Sequence, residues 1–325
     1  MRTIDWVGDG PRIVDQTLLP DEVRLVDLRT VEELIDAILR LAVRGAPALG
    51  VAGAMGVALA ARLGGDVDDA VRRIRSARPT AVNLAWGVDR AASRRSEGAD
   101  AVLAEALAVR DEEIAASREM GRRGADLLTE LVEGRPRILT HCNAGGLATV
   151  EYGTALAPLR TLHERDWLAE VLTAETRPLL QGARLTAWEL GQAGIPHRLI
   201  ADAAGPAVLA LGLADAVVVG ADRICANGDV VNKIGTYSHA LGAQAAGVPF
   251  VAVAPESTLD SATKSGADVE IEQRADDELR YAGGRRTAPA GTTALNLAFD
   301  VTPAALVTAI VTERRVIRLD RGDLP

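Results

Sequence analysis

At 325 residues the chain is long enough for two domains with separate cores. A net charge of -9 and an aromatic content of 3% argue against a nucleic-acid surface, which needs cations and stacking platforms. Two cysteines without C-x-x-C spacing point to free thiols in a reducing cytoplasm, and the four histidines show no H-E-x-x-H or paired Cys/His spacing that would mark a metal site.

The opening MRTIDWVGDG carries acidic residues and no apolar segment, so no secretory signal is expected. Residues 1–28 alternate apolar and polar positions around Gly8, Gly10, Pro11 and Pro20, which predicts short antiparallel strands. Thr30, with Glu33 three residues on, predicts a capped helix through Leu34, Ile35, Ile38 and Leu41. That helix breaks at Val43-Arg44-Gly45-Ala46-Pro47, and a small-residue helix resumes through Val51, Met55 and Leu59. The uncharged run between Arg44 and Arg62 falls short of the ~20 residues of a membrane span and reads as a buried helix. Glycines 50, 53 and 56 do not fit G-x-G-x-x-G, and no strand precedes them, so close helix packing is their expected use. Further helices are predicted over 66–76 and, as one long segment, over about 88–132.

After Gly134 and Pro136 strand-like and helical runs alternate at the spacing of βαβ units. Strands are expected at 137–141, 168–173, 197–201, 215–219 and 249–254, with helices near 147–165, 181–193, 205–213 and 236–246. The fold class is α/β: a mostly helical N-terminal domain with a small antiparallel sheet (1–125), then a doubly wound parallel sheet (126–325).

Each expected strand ends in polar residues. They are Cys142-Asn143, then Glu175-Thr176-Arg177 with Gln181 beyond, Asp202, Asp222-Arg223, and Glu256-Ser257. A parallel sheet gathers such ends along one edge, where ligands bind, so a small-molecule site is expected there. Each residue also has a structural reading as a cap or an ion pair, and a free cysteine more often packs than reacts. Asn232-Lys233-Ile-Gly235-Thr236 opens a predicted helix whose free N–H groups suit an anion. Arg44 and Arg78, at breaks flanked by Gly or Pro, offer forks for phosphate oxygens if the two halves close on one another.

Several strings together resemble the methylthioribose-1-phosphate isomerases. They are V-R-G-A-P-A-L-G (43–50), R-P-T-A-V-N-L (78–84), T-H-C-N-A-G (140–145), E-T-R-P-L-L-Q-G-A-R-L-T-A-W-E-L (175–190), G-A-D-R (220–223), G-D-V-V-N-K-I-G-T-Y (228–237) and A-F-D-V-T-P (298–303). The group also holds ribose-1,5-bisphosphate isomerases and regulatory subunits of a translation-initiation exchange factor. The resemblance implies conversion of an aldose 1-phosphate to the ketose 1-phosphate in methionine salvage. It also implies a Rossmann-like C-terminal domain without a dinucleotide, no cofactor or metal, and a cytoplasmic homodimer that binds neither nucleic acid nor membrane. By matching motifs, Cys142 and Asp222 are the catalytic pair, and Arg44, Gly45, Ala46, Arg78, Gln181, Asn232 and Lys233 bind the substrate. In that chemistry Asp222 protonates the ring oxygen, its neutral form favoured by burial against the apolar strand. Cys142 moves the proton between carbon-2 and carbon-1, its thiolate favoured by a helix N-terminus after the glycines. His141 points away from Cys142, because strand neighbours face opposite sides. Ala174, Ala203, Ala204 and Leu297 depart from the family pattern, which bears on substrate detail rather than on the reaction. The competing expectations are an isomerase of ribose 1,5-bisphosphate or 5-deoxyribose 1-phosphate, a non-catalytic regulatory subunit, and a dinucleotide-dependent oxidoreductase.

Overall fold

Ile4 and Ile13 are register partners, both fully buried, and their pairing closes the first hairpin of the chain. In the computed structural model, which describes residues 2–78 and 81–325, the fold comprises two compact units. One contains the residues up to Arg118 together with Ala144–Leu156; the other contains Glu119–Asn143 and Ala157–Pro325. The 1–125 and 126–325 division expected from sequence treats each half as continuous, whereas by contacts residues 144–156 return to the first unit.

The first unit begins with an antiparallel sheet of β1 (Ile4–Val7), β2 (Gly10–Val14) and β3 (Leu25–Asp27), as the alternation predicts. Helix α1 (Val31–Leu39) starts at the expected Thr30. Its hydroxyl accepts from the Glu33 N–H, and Glu33 reaches back to complete a capping box. Helix α2 (Ala46–Leu63) is long and apolar enough to cross a membrane, but most of it is buried in this unit. Its glycines set how closely neighbours approach. A Cβ on Gly87 would collide with the Gly50 carbonyl, and one on Gly53 would meet the Leu84 carbonyl oxygen at 2.8 Å. Glycine here is a packing requirement, as the missing dinucleotide fingerprint suggests. Helix α3 is Val67–Ser76, capped by Asp66. The single helix expected over 88–132 is two, α4 (Val82–Ala92) and α5 (Ala99–Leu131). Gly98, at φ +100°, makes the break, a conformation that costs glycine little.

The second unit is built on a seven-stranded sheet. Its strands are β4 (Arg137–Thr140), β5 (Glu170–Ala174), β6 (His197–Ile200), β7 (Ala216–Val219), β10 (Phe250–Val253), β15 (Ala309–Val311) and β16 (Val316–Ile317). Their order is β16-β15-β10-β7-β4-β5-β6, parallel throughout except for β16. The five strands expected from sequence are all present within a residue or two. Between them run α6 (Leu156–Glu164), α7 (Ala187–Gln192), α8 (Gly205–Ala210) and α9 (Thr236–Ala246). The helix expected from 147 starts only at Leu156. Gly153 sits at φ +107° and the Thr154 N–H donates back to Ala144, so this stretch folds on itself.

A second sheet was not expected. It contains β8 (Arg223–Cys225), β9 (Val230–Lys233), β11 (Leu259–Asp260) and β14 (Phe299–Thr302), in the order β11-β8-β9-β14. Between β11 and β14 lie α10 (Asp276–Arg280) and a hairpin of β12 (Tyr281–Ala282) and β13 (Arg285–Arg286). The core of this unit is Leu139, Val217, Val219, Phe250, Ala252 and Ile310 of the large sheet with Ala240 and Ala243 of α9.

One charge in the first unit is poorly housed. Glu113 on α5 accepts from the Ser117 hydroxyl at 2.7 Å, but its Oε2 is enclosed with no partner. Burial lifts its pKa to about 7, so above that pH the fold carries a desolvated carboxylate. A group held above its unfolded value near 4.5 destabilises as pH rises through the interval. Glu113→Gln should therefore raise Tm by a few degrees at pH 8 and change it little at pH 5. Scanning calorimetry at the two pH values reads the difference, and equal shifts at both would refute it.

Candidate functional site

Strand β4 lies between β5 and β7, with Thr140 opposite Thr173 and Leu139 opposite Val217. Adjacent strands stand about 4.8 Å apart, so the chain segments leaving them emerge side by side. Cys142 is two residues beyond β4 and Asp222 three beyond β7, both at the carboxyl edge. The Asp222 N–H donates to the Val231 carbonyl at 2.9 Å, and Arg223 pairs with Val231, which sets Asp222 opposite Asn232 across β8 and β9. Gln181 follows β5 at the same edge, buried, with its Oε1 lacking a hydrogen-bond partner. A buried acceptor left unpaired costs about 1–3 kcal/mol, which a bound hydroxyl would recover. The fold thus brings Cys142, Asp222, Gln181 and Asn232 to one end of one sheet.

Lys233 is also buried, but it leaves β9 on the face opposite Asn232. Its Nζ donates to the Ala298 carbonyl at 2.8 Å and lies 4.4 Å from the centre of the Phe299 ring. The Asn232 amide donates to the Thr236 hydroxyl at 3.0 Å.

Cys142 has φ +62°, unusual for a residue with a Cβ. Its N–H donates to Thr176 Oγ1 at 2.8 Å, and its carbonyl accepts from Thr186 Oγ1 at 2.6 Å. Asn143 donates to Thr186 and to the buried Glu189, which also accepts from Arg160 at 2.9 Å. Thr186 and Glu189 were not singled out from sequence, although both stand inside the E-T-R-P string that was, and Thr176 was named only among the polar residues that end β5.

His141 turns to the other side of β4, as strand alternation predicts. Its Nε2 donates to the Ile234 carbonyl at 2.8 Å, and its Nδ1 accepts from His239 Nε2 at 3.2 Å. Desolvation lowers His141 to about 4 and His239 to about 3. Both rings are therefore neutral at pH 7.

Three expectations need correction. Asp222 is exposed in this chain, because Gly220 and Ala221 carry it past the buried end of β7, so the apolar strand does not shield it. No helix begins directly after Gly146 to favour a thiolate, since α6 starts only at Leu156. The start of α9 is not open to an external anion at Gly235 and Tyr237, because Asp300 accepts from both N–H groups at 2.7 and 3.2 Å. Burial still holds Asp300 up at about 6, despite those bonds and the charge of Lys233.

The remaining expected residues belong to the first unit. Gly45, at φ +94°, caps α2, and a Cβ there would collide with the Ala148 carbonyl, so only glycine fits. Arg44 precedes it and Ala46 begins the helix. Arg78 lies four residues before α4, its carbonyl accepting from Ala81. Pro79 and Thr80 of its string fall outside the described residues. Gly50 near the start of α2 packs on Asn83 near the start of α4, so the two arginines lie at neighbouring helix starts. Among the described residues no cluster of His, Cys, Asp and Glu suits a metal ion.

Residues 42–318 match the initiation factor 2 subunit family. The chain is 56% identical to a probable bifunctional methylthioribose-1-phosphate isomerase/methylthioribulose-1-phosphate dehydratase of Nocardia farcinica. The match covers 98% of this chain but 60% of that protein, so the chain spans less than two thirds of it. It is 49% identical to a 5-deoxyribose 1-phosphate isomerase of Moorella thermoacetica, covering 97% of this chain and 93% of that one. Among solved structures, a 5-methylthioribose 1-phosphate isomerase of Pyrococcus horikoshii superposes with a TM-score of 0.91 at 41% identity, covering 98% and 92% of the two chains.

The buried histidine pair makes the second unit acid-sensitive. Both imidazoles are held below their unfolded value near 6.5, so the unfolded chain binds more protons as pH falls from 6.5 towards 4. Their contribution is complete above pH 6.5 and is lost through that window, while Asp300, raised from 3.8, acts in the opposite sense between 3.8 and 6. Histidine NMR should find both rings neutral at pH 5.5, protonated on Nε2. A titration midpoint between 6 and 7 for either ring would refute the pairing.

Proposed function

The chain belongs to the initiation factor 2 subunit family, and from that premise we propose that it isomerises 5-methylthioribose 1-phosphate to 5-methylthioribulose 1-phosphate, a step of methionine salvage. The observation that carries the reading is the emergence of Cys142 and Asp222 from adjacent parallel strands at the edge where Gln181 and Asn232 also lie. A regulatory subunit without catalysis has no need of that pair.

The substrate's carbon-1 bears the phosphate and has no free aldehyde, so the ring opens before any proton leaves carbon. Protonated Asp222 gives its proton to the ring oxygen as the bond from that oxygen to carbon-1 breaks. The Cys142 thiolate takes the proton from carbon-2, leaving an enol between carbon-1 and carbon-2. The resulting thiol protonates carbon-1, and the carbon-2 hydroxyl returns its proton to the Asp222 carboxylate as the ketone forms. Both groups end as they began. Asp222, exposed in the chain by itself, loses its water when the sugar covers it, and that raises its affinity for the proton it must carry. Arg44 and Arg78, with the backbone at Gly45 and Ala46, bind the phosphate. Gln181 and Asn232 hold sugar hydroxyls, and Lys233 adds positive potential for the anion.

The 5-deoxy sugar is the second reading, favoured by the relative from Moorella thermoacetica. Purified protein should convert the methylthio sugar phosphate to ketose with a higher kcat/KM than 5-deoxyribose 1-phosphate or ribose 1,5-bisphosphate. Preference for either competitor would reassign the substrate, and no ketose from any of them would sink the enzymatic reading. Cys142→Ser and Asp222→Asn should each fold and lose at least ~100-fold in kcat, the scale of proton-transfer contributions.

We also infer a cytoplasmic homodimer. Helices α8 and α9 carry no Asp, Glu, Lys or Arg, and their one histidine, His239, is buried and neutral, while Leu211, Tyr237 and Leu241 are exposed. Such a surface suits burial by a second copy. Light scattering should give twice the 34.1 kDa chain mass, and Leu241→Glu should lower it towards one chain.

A further inference from the structure

We propose that Thr176, Thr186 and Asp202 are positioning residues that lock the backbone of Cys142 in its left-handed conformation and so aim the thiol. The inference rests on the reading of Cys142 as the proton carrier, and it adds residues that touch no substrate.

The argument starts from strain. Among the described residues five non-glycine residues have positive φ, and three of them, Cys142, Thr176 and Leu180, adjoin this one edge of the sheet. Glycines stand three and four residues after Cys142, and a glycine at 142 would accept the conformation at less cost. A side chain kept at such a position has to be held there by its surroundings, and strained positions of this kind cluster at active sites and ligand clamps.

The holding is specific. The Thr176 hydroxyl donates its only proton to the Ala174 carbonyl at 3.1 Å, which leaves a lone pair facing the Cys142 N–H. The Thr186 hydroxyl donates its proton to the Cys142 carbonyl, and accepts from Asn143 Nδ2 at 3.2 Å. Cys142 is therefore gripped by both ends of its backbone, through two fully buried hydroxyls.

Each clamp is anchored in turn. Thr176 is β-branched and has φ +66°, a poor conformation for such a residue. Asp202, arriving from the end of β6, fixes it: its two carboxylate oxygens accept from the N–H groups of Thr176 and Arg177 at 2.7 and 2.6 Å. Thr186 ends a π turn, Gly182–Thr186, an irregularity that recurs at functional sites. The turn begins where Gly182 presses on the Ala174 carbonyl with no room for a Cβ. The same turn follows directly on Gln181, so one piece of backbone sets both a proposed substrate amide and a clamp of the thiol residue.

The test compares Thr176→Val and Thr186→Val, which exchange hydroxyl for methyl at nearly constant volume, with Thr176→Ser and Thr186→Ser. Asp202→Asn joins them as a change one bond further out. Each is assayed for kcat and KM with the preferred sugar phosphate, and for the pH dependence of iodoacetamide alkylation at Cys142, read by mass spectrometry. Cys225 supplies an internal control, since burial raises its thiol to about 11. The valine variants should lose about 10- to 100-fold in kcat with KM within about threefold, as expected when a reacting group is misplaced but binding is kept. Their alkylation profile should shift, and serine should restore both readings to within about threefold. Wild-type kcat in the valine variants overturns the proposal. So does a loss that serine does not rescue, or one that appears only in KM or Tm. Full turnover by Cys142→Ser instead removes the catalytic reading, while a shifted alkylation profile in the valine variants would still establish the clamp.

Discussion

The second unit depends on one constraint, the parallel pairing of β4 between β5 and β7. The register makes Thr140 level with Thr173, and Leu139 with Val217, so three chain segments leave the sheet side by side, each about a strand's width from the next. Val217, Val219 and Leu139 are wholly buried, and a slip of one residue would turn them to the opposite face of the sheet and exchange His141 for Cys142 on the side from which Asp222 emerges. Hydrophobic burial in the strands thereby fixes which side chain reaches the site. The chemistry is downstream of the packing.

Around that edge the charges are arranged with economy. His141 and His239 are neutral, linked to each other and to the Ile234 carbonyl, so they stiffen the approach of α9 to the sheet without adding charge. The start of α9, which reads from sequence as an anion site, is engaged by Asp300. A carboxylate of the protein's own at a helix start satisfies N–H groups that would otherwise lie unpaired. On the proposed reading, recognition of the phosphate falls to side-chain cations and amides rather than to this dipole.

Much of this was legible in the sequence where one physical signal acted alone. The capping box at Thr30 and Glu33, the five central strands, and α9 over Thr236–Ala246 follow from periodicity and local hydrogen bonding. The second sheet escaped because its strands are two to four residues long and pair across distant segments, as Lys233 does with Phe299. Gly98 split a helix that composition made continuous, and Gly153 with Thr154 folded back a segment that looked helical from 147. The proposed site residues were picked out by their strings, but their surroundings were not legible there. Nothing local announces that Asp222 lies exposed, since that depends on how far Gly220 and Ala221 carry it beyond β7.

The clamp on Cys142 shows why such features resist a one-dimensional reading. Thr176, Thr186 and Asp202 lie 34, 44 and 60 residues from the cysteine along the chain. Three separate strand–turn–helix connections must close before their hydrogen bonds exist. Each residue alone has an ordinary use: a threonine in a turn, a threonine in a helix, an aspartate that caps. Only together do they hold an unfavourable φ, and a strained conformation persists only where several independent contacts oppose its relaxation. A parallel sheet supplies them because it gathers residues remote in sequence at one edge. The fold therefore does more than collect reactive groups: it gives the thiol's backbone a geometry that no local sequence could keep.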